Sequence, residues 1–252
     1  MKILCTNDDG INAPGIGVLA TIAQTLSDDV WVVAPEMDQS GVSHSLSLNN
    51  PLRLRKLSEK KFAVKGTPSD CVVMGVRHVL QPEPPQVVLS GVNRGQNLAE
   101  DVRYSGTIAA AMEATIMGIP AIALSQAYGE EGRSTLNWEC CQKHAPSIIR
   151  RLLDFGVPKN TLFNVNFPNC SSEDVKGIKI VSQGRRSEKM LKLDRRVDGR
   201  ENPYYWLVFE RHADSTVEDT DLWAIQDNWI SITPVQLDMT DLATMERLKE
   251  IF

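Results

Sequence analysis

Short, almost wholly apolar runs recur along this chain at intervals too long for hairpin turns: Ile3-Leu4-Cys5, Val30 to Ala34, Val87-Val88-Leu89 and Ala121 to Leu124. Runs of that length and character suit strands buried on both faces, as in a parallel sheet. Stretches of helical period separate them. Ile16, Leu19, Ala20 and Ala23 follow the first run, with Pro14 and Gly15 at the entry. Gly66-Thr67-Pro68-Ser69-Asp70 opens a helix through about Val79, with Thr67 as cap and Pro68 in the first turn. Ile108 to Met117 is a small-residue helix. A further helix is predicted over about Thr135 to Phe155, disturbed at Pro146, before the strand-like Thr161 to Phe167. Parallel strands need crossovers, so the alternation predicts a doubly wound, mostly parallel α/β sheet.

The pattern changes near Cys170. Residues 176 to 234 read as strands, with Tyr204 to Phe209 and Trp229 to Ile232 the strongest runs, and Asp241 to Phe252 reads as a short amphipathic helix. The expected division is an α/β core over 1–175, to which 229–240 return, an extended hairpin region over 176–228, and a helical tail over 241–252. Tyr204, Tyr205, Trp206, Phe209 and Trp223 lie on strands long for a surface ribbon. A lone hairpin is marginal in water, so pairing with a second subunit is expected, a two-fold dimer first. Leu52, Leu54 and Leu57 alternate with basic residues ahead of Phe62-Ala63-Val64, which predicts a half-exposed hairpin lying as a surface ribbon.

A chain of 252 residues can hold one large domain or one domain with an appendage. The net charge of -5 argues against long nucleic acid as a partner, which needs a basic footprint, but leaves room for a small phosphorylated substrate. The five cysteines form no Cys-x-x-Cys pattern, and Cys5 lies in a core strand, so neither zinc nor a disulfide framework is expected. Neither a signal peptide nor a membrane span is legible, and the expectation is a cytoplasmic chain without membrane contact.

Ligands of open α/β sheets sit outside the carboxyl ends of the strands. The first strand runs into Asn7-Asp8-Asp9-Gly10, which by itself reads equally as a capped turn or as half of a metal site. Loops after the strands ending at Thr6, Ala34 and Ser90 would bring Asp8 and Asp9 together with Ser40 and Asn93. All four offer oxygen, which suits Mg²⁺ or Mn²⁺ and disfavours zinc. Ser105-Gly106-Thr107 stands where a helix begins, a position for N-capping or for cradling phosphate. Together these point to metal-assisted hydrolysis of a phosphate ester.

The segments 3–11 (Ile-Leu-Cys-Thr-Asn-Asp-Asp-Gly-Ile), 33–36 with 39–41, 66–71 (Gly-Thr-Pro-Ser-Asp-Cys), 90–97 (Ser-Gly-Val-Asn-Arg-Gly-Gln-Asn), 104–107 (Tyr-Ser-Gly-Thr) and 231–234 make the chain similar to the SurE survival-protein nucleotidases. The resemblance spans nearly the whole chain with the motifs in register. It implies a cytoplasmic phosphatase, dependent on a divalent metal, acting on nucleoside 5′- and often 3′-monophosphates, with short polyphosphate an open second substrate. It assigns metal ligation to Asp8, Asp9, Ser40 and Asn93, and substrate or phosphate contact to Asn93, Ser105, Gly106 and Thr107. It further implies exchange of the C-terminal hairpin and tail between subunits, in a homodimer that can pair into a homotetramer.

For the chemistry, attack by metal-activated water is the expectation, with Asp8 and Asp9 central. His44 reads equally as a proton donor or a surface residue, and Arg94 as a phosphate partner or an exposed loop residue. Two other classes stay in view. A phosphorelay receiver domain also follows its first strand with an acid pair, but needs a phosphoacceptor Asp after the third strand and a Lys after the fifth. Here Ser90 leads to Asn93, and Leu124 to Ser125-Gln126. A non-catalytic nucleotide- and metal-binding module would use the same ligands.

Overall fold

The computed structural model describes residues 1–129, 132, 136–186, 191–209 and 217–252. Strand β1 (Ile3–Thr6) is buried along its whole length. It lies between β2 (Val30–Pro35) and β5 (Val87–Arg94), parallel to both. Helix α1 (Pro14–Gln24) crosses from β1 to β2. An antiparallel hairpin of β3 (Arg53–Ser58) and β4 (Lys61–Lys65) follows, then α2 (Pro68–Met74), which runs on through a π-type turn at Gly75–Val79. Beyond β5 come α3 (Asp101–Tyr104), α4 (Gly106–Ile116), β6 (Ala121–Gln126), α5 (Glu139–Phe155) and β7 (Thr161–Phe167). The chain closes with β8 (Gly177–Ile180), β9 (Leu191–Val197), β10 (Pro203–Phe209), α6 (Asp221–Gln226), β11 (Trp229–Gln236) and α7 (Leu242–Lys249).

The main sheet has the order β3-β4-β2-β1-β5-β6-β7-β11-β8, parallel from β4 to β7, with β11 antiparallel to β7 and β8 parallel to β11. Successive side chains of a strand face opposite ways, and β1 divides accordingly. Ile3 and Cys5 pack with Ile16, Leu19 and Ile148 from α1 and α5. Leu4 packs with Cys71, Val72, Ile108 and Ala111 from α2 and α4. Both faces are thus covered, which is the doubly wound arrangement expected. Small residues in α4 let it lie close, and Gly75 leaves room for Leu4: a methyl there would meet Leu4 Cδ2 at 2.8 Å. All five cysteines are free thiols, and burial pushes Cys140 and Cys141 up to about 12.

Several local expectations need correction. The 52–64 hairpin is not a surface ribbon: β4 pairs parallel with β2, and Ala63 and Val64 are buried. Its basic partner β3 forms the sheet edge, where charge discourages further pairing. Helix α5 stays continuous across Pro146 because Ala145, Ile148 and Ile149 anchor the turns around it in the core. Its start is Glu139; the expected start at Thr135 lies outside the described residues. Of the segment 176–228, β8 joins the main sheet and α6 packs against β11, while a separate two-stranded hairpin comprises β9 and β10. Thr67 caps α2 as expected: its hydroxyl accepts from Asp70 N at 3.1 Å and Asp70 Oδ2 accepts from Thr67 N at 2.8 Å. No described helix is long and apolar enough to cross a membrane.

Candidate active site

After β1 the chain steps outward to β2, and it later returns to the other side of β1 with β5. That reversal opens a crevice beyond the carboxyl ends of β1 and β5. A cleft of about 90 Å³ occupies it, lined among others by Asp8, Asp9, Ser40, Asn93, Arg94, Gln96, Tyr104, Ser105 and Phe209.

The loops are sewn to one another. Gln39 N donates to Asp8 O at 2.8 Å, and Ile11 N to Pro35 O at 2.8 Å. Asn7 Nδ2 donates to Gly10 O at 3.0 Å, closing the turn. Gly10 has φ +100, open to glycine but strained for other residues, and a side chain there would press on Met37 C at 3.1 Å. Asp9 Oδ2 accepts from Arg94 N at 3.1 Å, tying the first loop to the third.

Asp8 is almost fully buried at 4% exposure. Burial, then the neighbouring Asp9 charge, push its carboxyl up to about 7, against the lowering effect of Thr107. The Thr107 hydroxyl donates to Asp8 Oδ1 at 2.5 Å and its side chain is fully buried, which leaves its backbone N–H for the phosphate contact expected of it. Ser105 caps α4, accepting from Ile108 N at 3.1 Å, and lines the cleft. Gly106 lies hard against Asp8: a Cβ there would sit 2.7 Å from Asp8 Cβ. Only glycine lets the first turn of α4, with its unpaired N–H groups and positive dipole end, come this near.

The donors fit a hard divalent cation. Asn93 Nδ2 donates to Gly95 O at 2.8 Å, so what Asn93 offers a ligand is its oxygen. Ser40 Oγ donates to Asp38 Oδ1 at 2.6 Å, which directs its lone pairs elsewhere. Gln96 Oε1 is buried without a hydrogen-bond partner. A buried carboxyl beside a second one, with neutral oxygens around them, is stabilised by added positive charge, and oxygen-only donors suit Mg²⁺ or Mn²⁺. Among the described residues no cluster of three or more His, Cys, Asp and Glu is gathered, so the set is two acids completed by neutral oxygens.

The other candidates separate. Arg94 lines the cleft. His44 does not, and its Nε2 pairs with Glu113 Oε2 at 2.9 Å. Sequence reasoning missed Asp38, which orients Ser40 and adds its charge to Asp8. It also missed the support beneath the 95–101 loop. Asn97 donates through its backbone to Asn166 Oδ1 and through Nδ2 to Ser125 Oγ, both at 2.8 Å, and its carbonyl accepts from Asn164 Nδ2 at 2.8 Å. The signal was present: Asn164 and Asn166 sit two apart in a buried strand, where amides need partners.

Comparison with known proteins gives the family. The family model described as "Survival protein SurE" matches residues 3–190. A protein of Methylobacterium radiotolerans named "5′-nucleotidase SurE" is 59% identical over 252 residues, covering 100% of this chain and 99% of the relative. One of the same name from Rhodopseudomonas palustris is 57% identical over 251 residues, covering 99% and 98%. Among solved structures, the SurE protein from Aquifex aeolicus superposes with a TM-score of 0.86 at 40% identity, covering 100% of this chain and 99% of that one.

Proposed function

The chain belongs to the SurE survival-protein family, and from that premise we propose that it is a 5′-nucleotidase, hydrolysing nucleoside 5′-monophosphates, and 3′-monophosphates as well, with a divalent cation. The observation that carries the reading is the approach of Gly106, at the start of α4, to Asp8, which would set an anion site beside a cation site. Asp8, Asp9, Ser40 and Asn93 would hold Mg²⁺ or Mn²⁺. When bound, such a cation polarises a phosphoryl oxygen and lowers the pKa of water.

The chain's own groups hold the ester. The first N–H groups of α4, at Gly106 and Thr107, would receive the phosphate, and Ser105 lines the cleft. Arg94 supplies a cationic partner for a phosphate oxygen. Thr107 holds Asp8 in place through its hydroxyl. Asp8 and Asp9 must both be ionised to bind a cation, which the mutual crowding of the two acids opposes until the cation arrives. The β9–β10 hairpin and the tail from Asp241 pack on a second subunit, which their exposed Tyr205, Trp206, Leu207, Leu242 and Ile251 support. The reading is tested by phosphate release from a panel of nucleoside 5′- and 3′-monophosphates with Mg²⁺, Mn²⁺ or chelator. Metal-dependent release is expected; release unaffected by chelator would overturn it.

A further inference from the structure

The cleft holding the acid pair is small. At about 90 Å³ it has room for a few waters' volume, at about 30 Å³ each in the liquid, and falls below the roughly 300 Å³ at which sites begin to enclose a small organic ligand. With the phosphate at the end made by α4 and the acids, as the nucleotidase reading has it, the nucleoside attached to it must lie across the rim. Tyr104 and Phe209 stand on that rim. Tyr104 directly precedes the cap Ser105, so its distance from the phosphate end is fixed by one peptide unit. Phe209 comes from β10, and its ring meets Tyr104 edge to face with centroids 5.9 Å apart and planes at 63°. The two remain 40% and 43% exposed, which leaves ring surface uncovered beside a charged cleft.

Phe209 is held there from the root of its hairpin. Arg186 donates to Leu98 O at 2.9 Å and pairs with Asp101 at 2.9 Å, while Arg186 N donates to Glu100 Oε2 at 3.0 Å. Gly184 N donates to Asp221 Oδ1 and Ala99 N to Asp221 Oδ2, both at 2.8 Å. The segment entering the hairpin is therefore fastened to the loop that leads into α3 and Tyr104.

We propose that Tyr104 and Phe209 form the base platform of the substrate site, the nucleobase stacking on this aromatic pair while the phosphate lies against the start of α4. The proposal rests on the nucleotidase reading and deepens it. Every base has a π-face, and stacking on an aromatic side chain supplies binding without base-edge hydrogen bonds. It also gives the hairpin a part in the site, beyond subunit association.

The test compares kcat/KM for adenosine 5′-monophosphate with kcat/KM for ribose 5-phosphate, which keeps phosphate and sugar and lacks the base. The ratio of the two is independent of the fraction of active enzyme, so partial misfolding of a variant does not alter it. The intact protein should favour the nucleotide about ten-fold or more, and Phe209→Leu and Tyr104→Leu should each reduce that preference by about five-fold or more, chiefly through KM. Phe209→Trp should retain it. Equal kcat/KM for both substrates in the intact protein, or a preference unchanged in both leucine variants, would overturn the platform while leaving the nucleotidase reading intact. Release from neither substrate by the intact protein would overturn both.

Discussion

Asp8 is placed where an ionised carboxylate is costly. Its carboxyl ordinarily titrates near 3.8 and is pushed up to about 7, first by burial and then by Asp9. In chelator, the unfolded chain therefore gives up this proton near pH 4 and the folded chain only near pH 7. Stability drains away as pH rises between those values and is flat above them. At about 1.4 kcal/mol for each pH unit, the cost reaches about 4 kcal/mol above pH 7. Asp8→Asn keeps an oxygen for the Thr107 hydroxyl and removes the charge. In chelator, its melting temperature should exceed that of the parent at pH 8, by a margin that shrinks toward pH 5; a gain independent of pH would contradict this. Thr107 follows the same logic, since its hydroxyl meets Asp8 and not the open cleft. Thr107→Val should raise the Mg²⁺ or Mn²⁺ concentration needed for half activity, and Thr107→Ser should not. A rise in substrate KM alone would return Thr107 to the phosphate-contacting role read from its motif. That Asp8, Asp9, Ser40, Asn93 and Ser105 meet in one cleft was legible because each lies at or just beyond the carboxyl end of a strand or opens a helix. The direction of the Thr107 hydroxyl was not, because it depends on how closely α4 meets β1.

Elements set those distances. The approach of α4 to β1 depends on Gly106, where an added methyl would overlap Asp8 Cβ at 2.7 Å. Gly106→Ala should cost about 1–3 kcal/mol in urea unfolding and most of the phosphatase activity. Stability loss with full turnover would show that the close approach serves packing alone. On the other wall, Arg186 and Asp101 form an ion pair with side chains only 7% and 13% exposed. Removing one partner of a buried pair leaves the other charge unmatched, at about 3–5 kcal/mol. Arg186→Met should therefore lower stability by roughly that amount and speed amide exchange over residues 95–101. Unchanged exchange there would mean that the asparagine network holds the loop unaided. The buried strands were readable because each is a short apolar run ahead of a loop. Strand β4 was misread as part of a ribbon because lysines flank its apolar residues, and its partner β2 lies far back in sequence. The place of Phe209 was beyond sequence reading: it lies more than a hundred residues from the other rim residues, on a hairpin positioned by Arg186 and Asp221.

The molecule as a whole leaves its hairpin without cover in a single chain. Tyr205, Trp206 and Leu207 are 55%, 57% and 69% exposed, and adjacent residues of a strand face opposite ways, so both faces of β10 offer apolar surface. Sedimentation of the intact protein at micromolar concentration should give a dimer or larger assembly, and a Tyr205→Glu, Trp206→Glu variant should be smaller; a compact monomer for the intact chain would contradict the proposed association. The doubly wound sheet, by contrast, was legible from the alternation of apolar runs and helical stretches, because that alternation admits few topologies. The topology puts the β1–β5 crevice and the start of α4 side by side, and the activity proposed for the chain rests on that juxtaposition. Its most direct test is phosphate release from nucleoside 5′-monophosphates by the intact protein, by Asp8→Asn and by Asp9→Asn, each with Mg²⁺ or Mn²⁺ and again with excess chelator. The expected result is rapid release by the intact protein with metal, abolished by chelator and largely lost in both variants while their folds survive. Full activity of either variant in chelator would contradict it.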